Sequence, residues 1–382
     1  MGTDRARSDG LRVLVAPDKF KGTLTGPQAA RAIADGVRAA LPQAQVRELV
    51  VADGGEGTVE AALSAGGEPR MATATGPLGD PVSARWALAG RTAVIELAAA
   101  SGLQLVDPGP ASALAATSRG TGELILAALD AGADSIVLGL GGSACTDGGA
   151  GLLAALGARL TDAEGVSIPD GGGGLTDLAT VDLAGLDARL AQVTLTLAAD
   201  VRSPLLGASG AAAVFGPQKG AGPAEVDLLE RALSVWARRL HEATGRDPAA
   251  LDWGGAAGGT AAGLHAAVGA RFEAGLEVVA RLTDLADQLR WADLVIVGEG
   301  SLDEQSLQGK APVAVAGRAR AVGVPVLAVA GRVGVDRQAL SEAGIEAAAS
   351  ATEAAGSSEL AQGAGAAHWV SEAARLLLLR CR

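Results

Sequence analysis

Apolar residues in this chain fall into short unbroken runs more often than into strict alternation. "LRVLVA" (11–16), "VRELVV" (46–51), "ADLVIVGEG" (292–300) and "VPVLAVAG" (324–331) are β-branched or aliphatic stretches, the last two with polar or glycine ends. Such runs mark strands of a parallel sheet, which is covered on both faces and needs apolar side chains on both. Between the first two lies "PQAARAIADGVRAAL", in which Ile33, Val37 and Leu41 recur every four residues on one helical face. Thr25 sits where an N-cap belongs and Pro42 stops the helix. Further helices are predicted over "VEAALSA", "APVAVAGRARA" and "VSEAARLLLLR". The alternation of strand, loop and helix is that of a parallel sheet flanked by helices.

The middle of the chain has another texture. "VSARWALAG" followed by "RTAVIELAA" predicts a hairpin, and "SIVLGL" and "VTLTLAADV" predict further strands. Helices are expected over "GELILAALDAG", "GLLAALGARL" and "EVDLLERALSVWARRLHEA", and "DGGGGL" reads as a surface loop. The expected architecture is therefore α/β, in two domains. The first is a parallel, Rossmann-like three-layer sheet built from both chain ends (1–78 and 285–382). The second is a mixed-sheet α/β insertion (79–284) that carries the loop "GLGGSACTDGGAG".

Composition narrows the function. With 382 residues, 49% hydrophobic and 19% charged, two domains with sizeable cores are affordable. Aromatic residues supply only 2%, so those cores must be aliphatic. A net charge of −12 leaves no basic field for nucleic acid or anionic membrane, yet backbone amides and a few cations can still hold a small anion. Cys145 and Cys381 give no disulfide framework, and the three histidines form no zinc motif. No apolar run is long enough for a transmembrane helix, and the polar start "MGTDRARSDG" has no signal-peptide core and reads as a disordered tail. The expected setting is a reduced cytoplasm.

Four polar, glycine-rich loops follow predicted strands: "PDKFKGT", "ADGGEGT", "GGSACTDGGAG" and "GEGSLDEQSLQGKAP". Ligands of open α/β sheets bind beyond the carboxyl ends of strands, and glycine lets amides approach phosphate oxygens. The chain has only four lysines among its 31 basic residues, and all four (Lys19, Lys21, Lys219, Lys310) lie in or beside such loops. A compact ammonium suits a point contact with a phosphoryl group, which makes Lys21 and Lys310 the leading candidates and Lys19 and Lys219 weaker ones. Asp18, Asp53, Glu56, Asp147, Asp200, Glu299 and Asp303 sit at strand ends or in these loops. Phosphoryl transfer needs an oxygen ligand for Mg²⁺ and often a base at the acceptor hydroxyl. Asp18 and Asp147 fit N-cap or Asx-turn roles better than functional ones, whereas Asp200 and Asp303 are better placed for function. No Walker motif is present, and "GLGGSA" satisfies G-x-G-x-x-A only where a polar stretch replaces the following helix, so an NAD-dependent oxidoreductase is the weaker alternative. A nucleotide sensor without turnover is another.

In order along the chain, "VLVAPDKFKGTLT", "VADGGEGTVEA", "IELAAASGL", "TSRGTGELI", "GLGGSACTDGGAGLLAALGA", "VFGPQKGA" and "ADLVIVGEGSLDEQSLQGKAP" resemble the bacterial glycerate kinase family. The resemblance spans nearly all of residues 11–335. It implies ATP-dependent phosphorylation of D-glycerate, most often at the 2-hydroxyl, with the 3-hydroxyl as the alternative. It also implies Mg²⁺, a site in a cleft that closes to exclude water, and a monomer or homodimer. On that reading Lys21, Asp53, Asp200 and Asp303 are the catalytic set, and Asp200 and Glu299 hold the metal. Gly141, Gly142, Ser143, Thr121 and Lys310 bind phosphate; Asp18, Lys19 and Ser101 bind substrate. The chain departs from the family at Lys19, where Ser is frequent, in "SACTDGG" for "SATNDGG", and at Ser301, where an arginine is common after "GEG".

Overall fold

The computed structural model describes residues 10–20, 22–307 and 309–381. Lys21 and most of the N-terminal stretch expected to be a tail lie outside the described residues. From the N-terminus the strands are β1 (Arg12–Pro17), β2 (Gln45–Glu48), β3 (Glu68–Thr75), β4 (Pro81–Ala89), β5 (Thr92–Glu96) and β6 (Ser135–Gly139). They continue with β7 (Arg159–Thr161), β8 (Thr180–Asp182), β9 (Thr194–Ala198), β10 (Arg271–Glu273), β11 (Leu294–Leu302), β12 (Val326–Val333) and β13 (Ala347–Ser350). The chain divides into two compact units, one made of Met1–Asp53, Glu60–Ala65 and Val279–Arg382, the other of Gly54–Val59 and Gly66–Val278.

The first unit is a five-stranded sheet in the order β13-β12-β11-β1-β2, parallel throughout. Val13, Leu14, Val15 and Ala16 of β1 have no exposed surface, as a strand buried on both faces requires. Val13 and Val15, with Ile296 and Val329 from neighbouring strands, pack under the helices Gly26–Ala40 and Ala366–Arg380. The helix Gly26–Ala40 starts at a capping box: Gln28 N donates to Thr25 Oγ1 at 3.4 Å and Thr25 N to Gln28 Oε1 at 3.0 Å. β2 ends at Glu48, three residues short of its expected end, although Leu49 N and Val51 N still donate to Val15 O and Pro17 O at 2.8 and 3.1 Å. β11 is longer than expected: it runs through "GEG" to Leu302, which puts Glu299 and Ser301 on a strand, not in a loop.

The second unit is a mixed six-stranded sheet, β10-β9-β6-β5-β4-β3, in which the hairpin β4–β5 forms as expected. Its aliphatic core surrounds Trp236, fully buried on the helix Pro223–Thr244. Two expectations fail here. The helix over "GLLAALGARL" is confined to Ala150–Ala155, because Arg159–Thr161 leave it to pair as β7 with β8. "DGGGGL" is no surface loop: Gly172–Asp177 form a 3₁₀ turn anchored by Leu175, which has no exposed surface.

Candidate functional site

In the second unit the chain leaves β6 into the loop Leu140–Gly149. Gly142 has φ of 72°, a left-handed conformation that glycine adopts without strain. Gly141 lies so close to the preceding glycine turn that a Cβ there would stand 2.6 Å from Gly55 Cα. The loop is stitched from below, with Leu103 N donating to Gly142 O at 2.8 Å and Ala144 N to Ser101 O at 2.9 Å. Among the described residues the N–H groups of Gly141, Gly142 and Ser143 have no acceptor. Gly142 is exposed and Gly141 half-buried. Three successive amides without acceptors on a tight glycine turn form a nest suited to an anion.

Two buried charges brace this loop. Lys219 is 2% exposed, and its Nζ donates to Cys145 O at 2.6 Å, Ser143 Oγ at 3.1 Å and Thr146 Oγ1 at 3.4 Å. Burial pulls its pKa below the usual lysine value, while the nearby Asp147 charge pushes the other way. All three ammonium protons are committed, so Lys219 reaches an anion only through the loop. Its bond to Ser143 Oγ leaves that hydroxyl to donate elsewhere.

Asp147 is fully buried and accepts from Ser118 N and Ser118 Oγ, each at 2.8 Å, Gly149 N at 3.1 Å and Gly151 N at 3.2 Å. Burial raises its pKa and those four bonds lower it. The Asx-turn role foreseen from sequence is the one it plays. Burial raises the Cys145 thiol to about 12, so it is a neutral filler, not a nucleophile.

Thr121 and Ser101, expected at phosphate and substrate, have no exposed surface and bond to each other at 2.9 Å. Ser101 carries the loop through its carbonyl, and both side chains are buried beneath it. Asp200 follows β9, is exposed, and accepts from Gly275 N at 2.9 Å.

The first unit gathers a second set of polar groups at the carboxyl end of its parallel sheet, the position where such sheets bind ligands. β1 delivers Asp18, whose Oδ1 accepts from Lys19 N at 2.6 Å. β11 delivers Glu299, Ser301 and Asp303, and Lys310 stands at the start of the helix Ala311–Ala321. Glu299 is 7% exposed and its Oε1 has no partner. Burial lifts its carboxyl to about 7, with the Ser306 hydroxyl and the Lys310 charge drawing it down and Asp18 and Asp303 raising it further. Asp303 goes the other way. Burial raises it, but the Ser306 N–H, the Lys310 charge and the Ser301 hydroxyl outweigh that and hold it below the usual carboxylate range. Its Oδ1 accepts from Gln305 N at 3.0 Å and Ser306 N at 3.2 Å, capping the turn Glu304–Leu307. Asp53 is half-buried at the end of its segment.

Sequence reasoning thus found the groups that gather in each unit, but it ranked them by position, and burial reorders them. Glu299 becomes the group poised near neutrality. Lys219 becomes the loop's internal brace. Among the described residues no cluster of three or more acidic, histidine or cysteine side chains could hold a metal ion by itself. No helix there is long and apolar enough to cross a membrane.

The chain matches the model of the glycerate kinase family over residues 13–380. It is 46% identical over 340 residues to a glycerate kinase of Bacillus subtilis, covering 88% of this chain and 89% of that one. It is 45% identical over 340 residues to a glycerate 2-kinase of Escherichia coli, covering 88% and 89% respectively. The crystal structure of a provisionally assigned glycerate kinase 2 from Salmonella typhimurium LT2 superposes with a TM-score of 0.86 at 43% identity, covering 97% of this chain and 98% of that one.

Proposed function

This chain belongs to the glycerate kinase family, and on that premise we propose that it transfers the γ-phosphoryl group of ATP to the 2-hydroxyl of D-glycerate, giving 2-phosphoglycerate in the cytoplasm. The observation that carries the reading is the nest of three acceptor-less amides at Gly141, Gly142 and Ser143. Such a nest binds phosphate oxygens, and the buried Lys219 ammonium behind it adds positive charge without occupying the cradle.

Glu299 is the proton acceptor for the substrate hydroxyl. A general base works best with a pKa near the operating pH, and Glu299 is lifted to about 7. Asp303, lowered and committed to its cap, positions Ser301 and the turn that leads to Lys310. Lys310, exposed at a helix start, neutralises charge on the nucleotide phosphates, as does Lys21 at the transferring group. Mg²⁺ takes one or two protein carboxylates and completes its shell with phosphate oxygens and water, a demand that the exposed Asp200 carboxylate fits. Bound there, the ion would spread the charge of the phosphates. Glu299, half protonated near neutrality, suits the base better than the metal.

Phosphorus NMR of the enzyme with Mg-ATP and D-glycerate tests the reading. A new phosphomonoester resonance matching 2-phosphoglycerate is expected. One matching 3-phosphoglycerate would move the acceptor to the other hydroxyl, and unchanged ATP with a folded sample would overturn the kinase assignment.

A further inference from the structure

Parallel strands hold residues in register side by side with their side chains on a shared face, and adjacent strands lie about 4.8 Å apart. Ser301 on β11 is the register partner of Arg332 on β12, and Glu299 is the partner of Ala330. Glu299, Ser301 and Arg332 therefore project to one face at the sheet's carboxyl end. The Arg332 Nη2 donates to Ser301 Oγ at 3.5 Å, and Ser301 Oγ donates onward to Asp303 Oδ2 at 3.2 Å.

The Arg332 guanidinium is exposed, and among the described residues this hydroxyl is its one hydrogen-bond partner. Arg12 and Arg119, by contrast, are held in paired bonds by Asp293 and Asp170. A planar fork of five donors beside the candidate base, engaged by one neutral oxygen, is equipped to take a carboxylate through two parallel bonds. Position 301, one strand away on the same face and in the same register, reaches the same space as the Arg332 guanidinium.

We propose that Arg332 binds the carboxylate of the hydroxy-acid substrate, with Ser301 holding its guanidinium in place. This rests on the glycerate kinase reading. Arg332 sets both the affinity for the acid and the orientation of its hydroxyls relative to Glu299. Ser301, small and hydroxylated, leaves room for the guanidinium and fixes one of its donors.

Steady-state kinetics with ATP and D-glycerate test this in the wild type, Arg332→Ala, Arg332→Lys and the double swap Ser301→Arg with Arg332→Ser. Arg332→Ala should raise KM for D-glycerate about 10- to 100-fold, the loss expected for a charge-assisted bidentate contact, while KM for ATP stays within about twofold. Arg332→Lys should fall between, keeping the charge and losing the fork. The swap should recover most of the loss. Wild-type turnover with an unchanged KM for D-glycerate in Arg332→Ala overturns this inference alone. A swap variant as impaired as Arg332→Ala, or an effect on ATP instead of the acid, does the same. Absence of D-glycerate turnover in the wild type overturns the functional reading and this inference with it.

Discussion

Burying the Glu299 carboxyl without a partner for Oε1 makes its ionised form the costly one. Its pKa in the fold is about 7 against an ordinary 4.5, so between those values the folded chain keeps a proton that the unfolded chain releases. Stability from this group therefore falls as pH rises through that window, and the full penalty stands above it. Glu299→Gln should match the wild type in melting temperature near pH 4 and exceed it increasingly towards pH 8, in metal-free buffer. A difference that does not vary with pH would count against the assignment. The same variant should lose about 10²- to 10⁴-fold in kcat, the usual weight of a general base. The two thiols offer an independent check of burial. Native protein should react at Cys381, which is exposed, and not at buried Cys145, so that one thiol titrates before denaturation and two after. At this scale the sequence shows which residues are polar and where they stand, but not how deeply each is buried. Depth is what separates Glu299 from Asp303, and Ser143 from Thr121.

At the scale of elements, apolar runs located β1, β6, β9, β11 and β12, because a strand buried on both faces announces itself by composition. The strands that escaped are those where that signal is absent. β3 reads "EPRMATAT", a half-polar edge strand, and β13 reads "AAAS", in which alanine is as compatible with a helix. The site loop was legible as glycine-rich, but the brace beneath it was not, since Lys219 comes from a segment 76 residues further along the chain than Ser143. Lys219→Met should keep the chain folded and raise KM for ATP, because it removes the ammonium that fixes Ser143 Oγ. Gly142→Ala, at φ of 72°, should cost about 1 kcal/mol of stability, read as a lower urea midpoint, and weaken ATP binding as the nest distorts. An ATP affinity unchanged in both variants would remove the loop from the nucleotide site.

For the whole molecule, the two-unit organisation follows from two separate aliphatic cores. One surrounds Trp236, and the other lies between the parallel sheet and the helices Gly26–Ala40 and Ala366–Arg380. Scanning calorimetry should accordingly give a calorimetric enthalpy larger than the van't Hoff value, and a single two-state transition would contradict that. The parallel sheet also bears on how the protein is made. β1 is an interior strand, yet its partner across the sheet begins 281 residues later, as the bond from Arg12 N to Asp293 records. At about 5–20 residues per second, the ribosome delivers that partner roughly 15 to 55 seconds after β1 has emerged. For that interval a strand that is apolar from Val13 to Pro17 has one covered edge at most, while the inserted unit is being made. An uncovered strand edge pairs readily with other chains, so β1 is open to misassembly until β11 arrives.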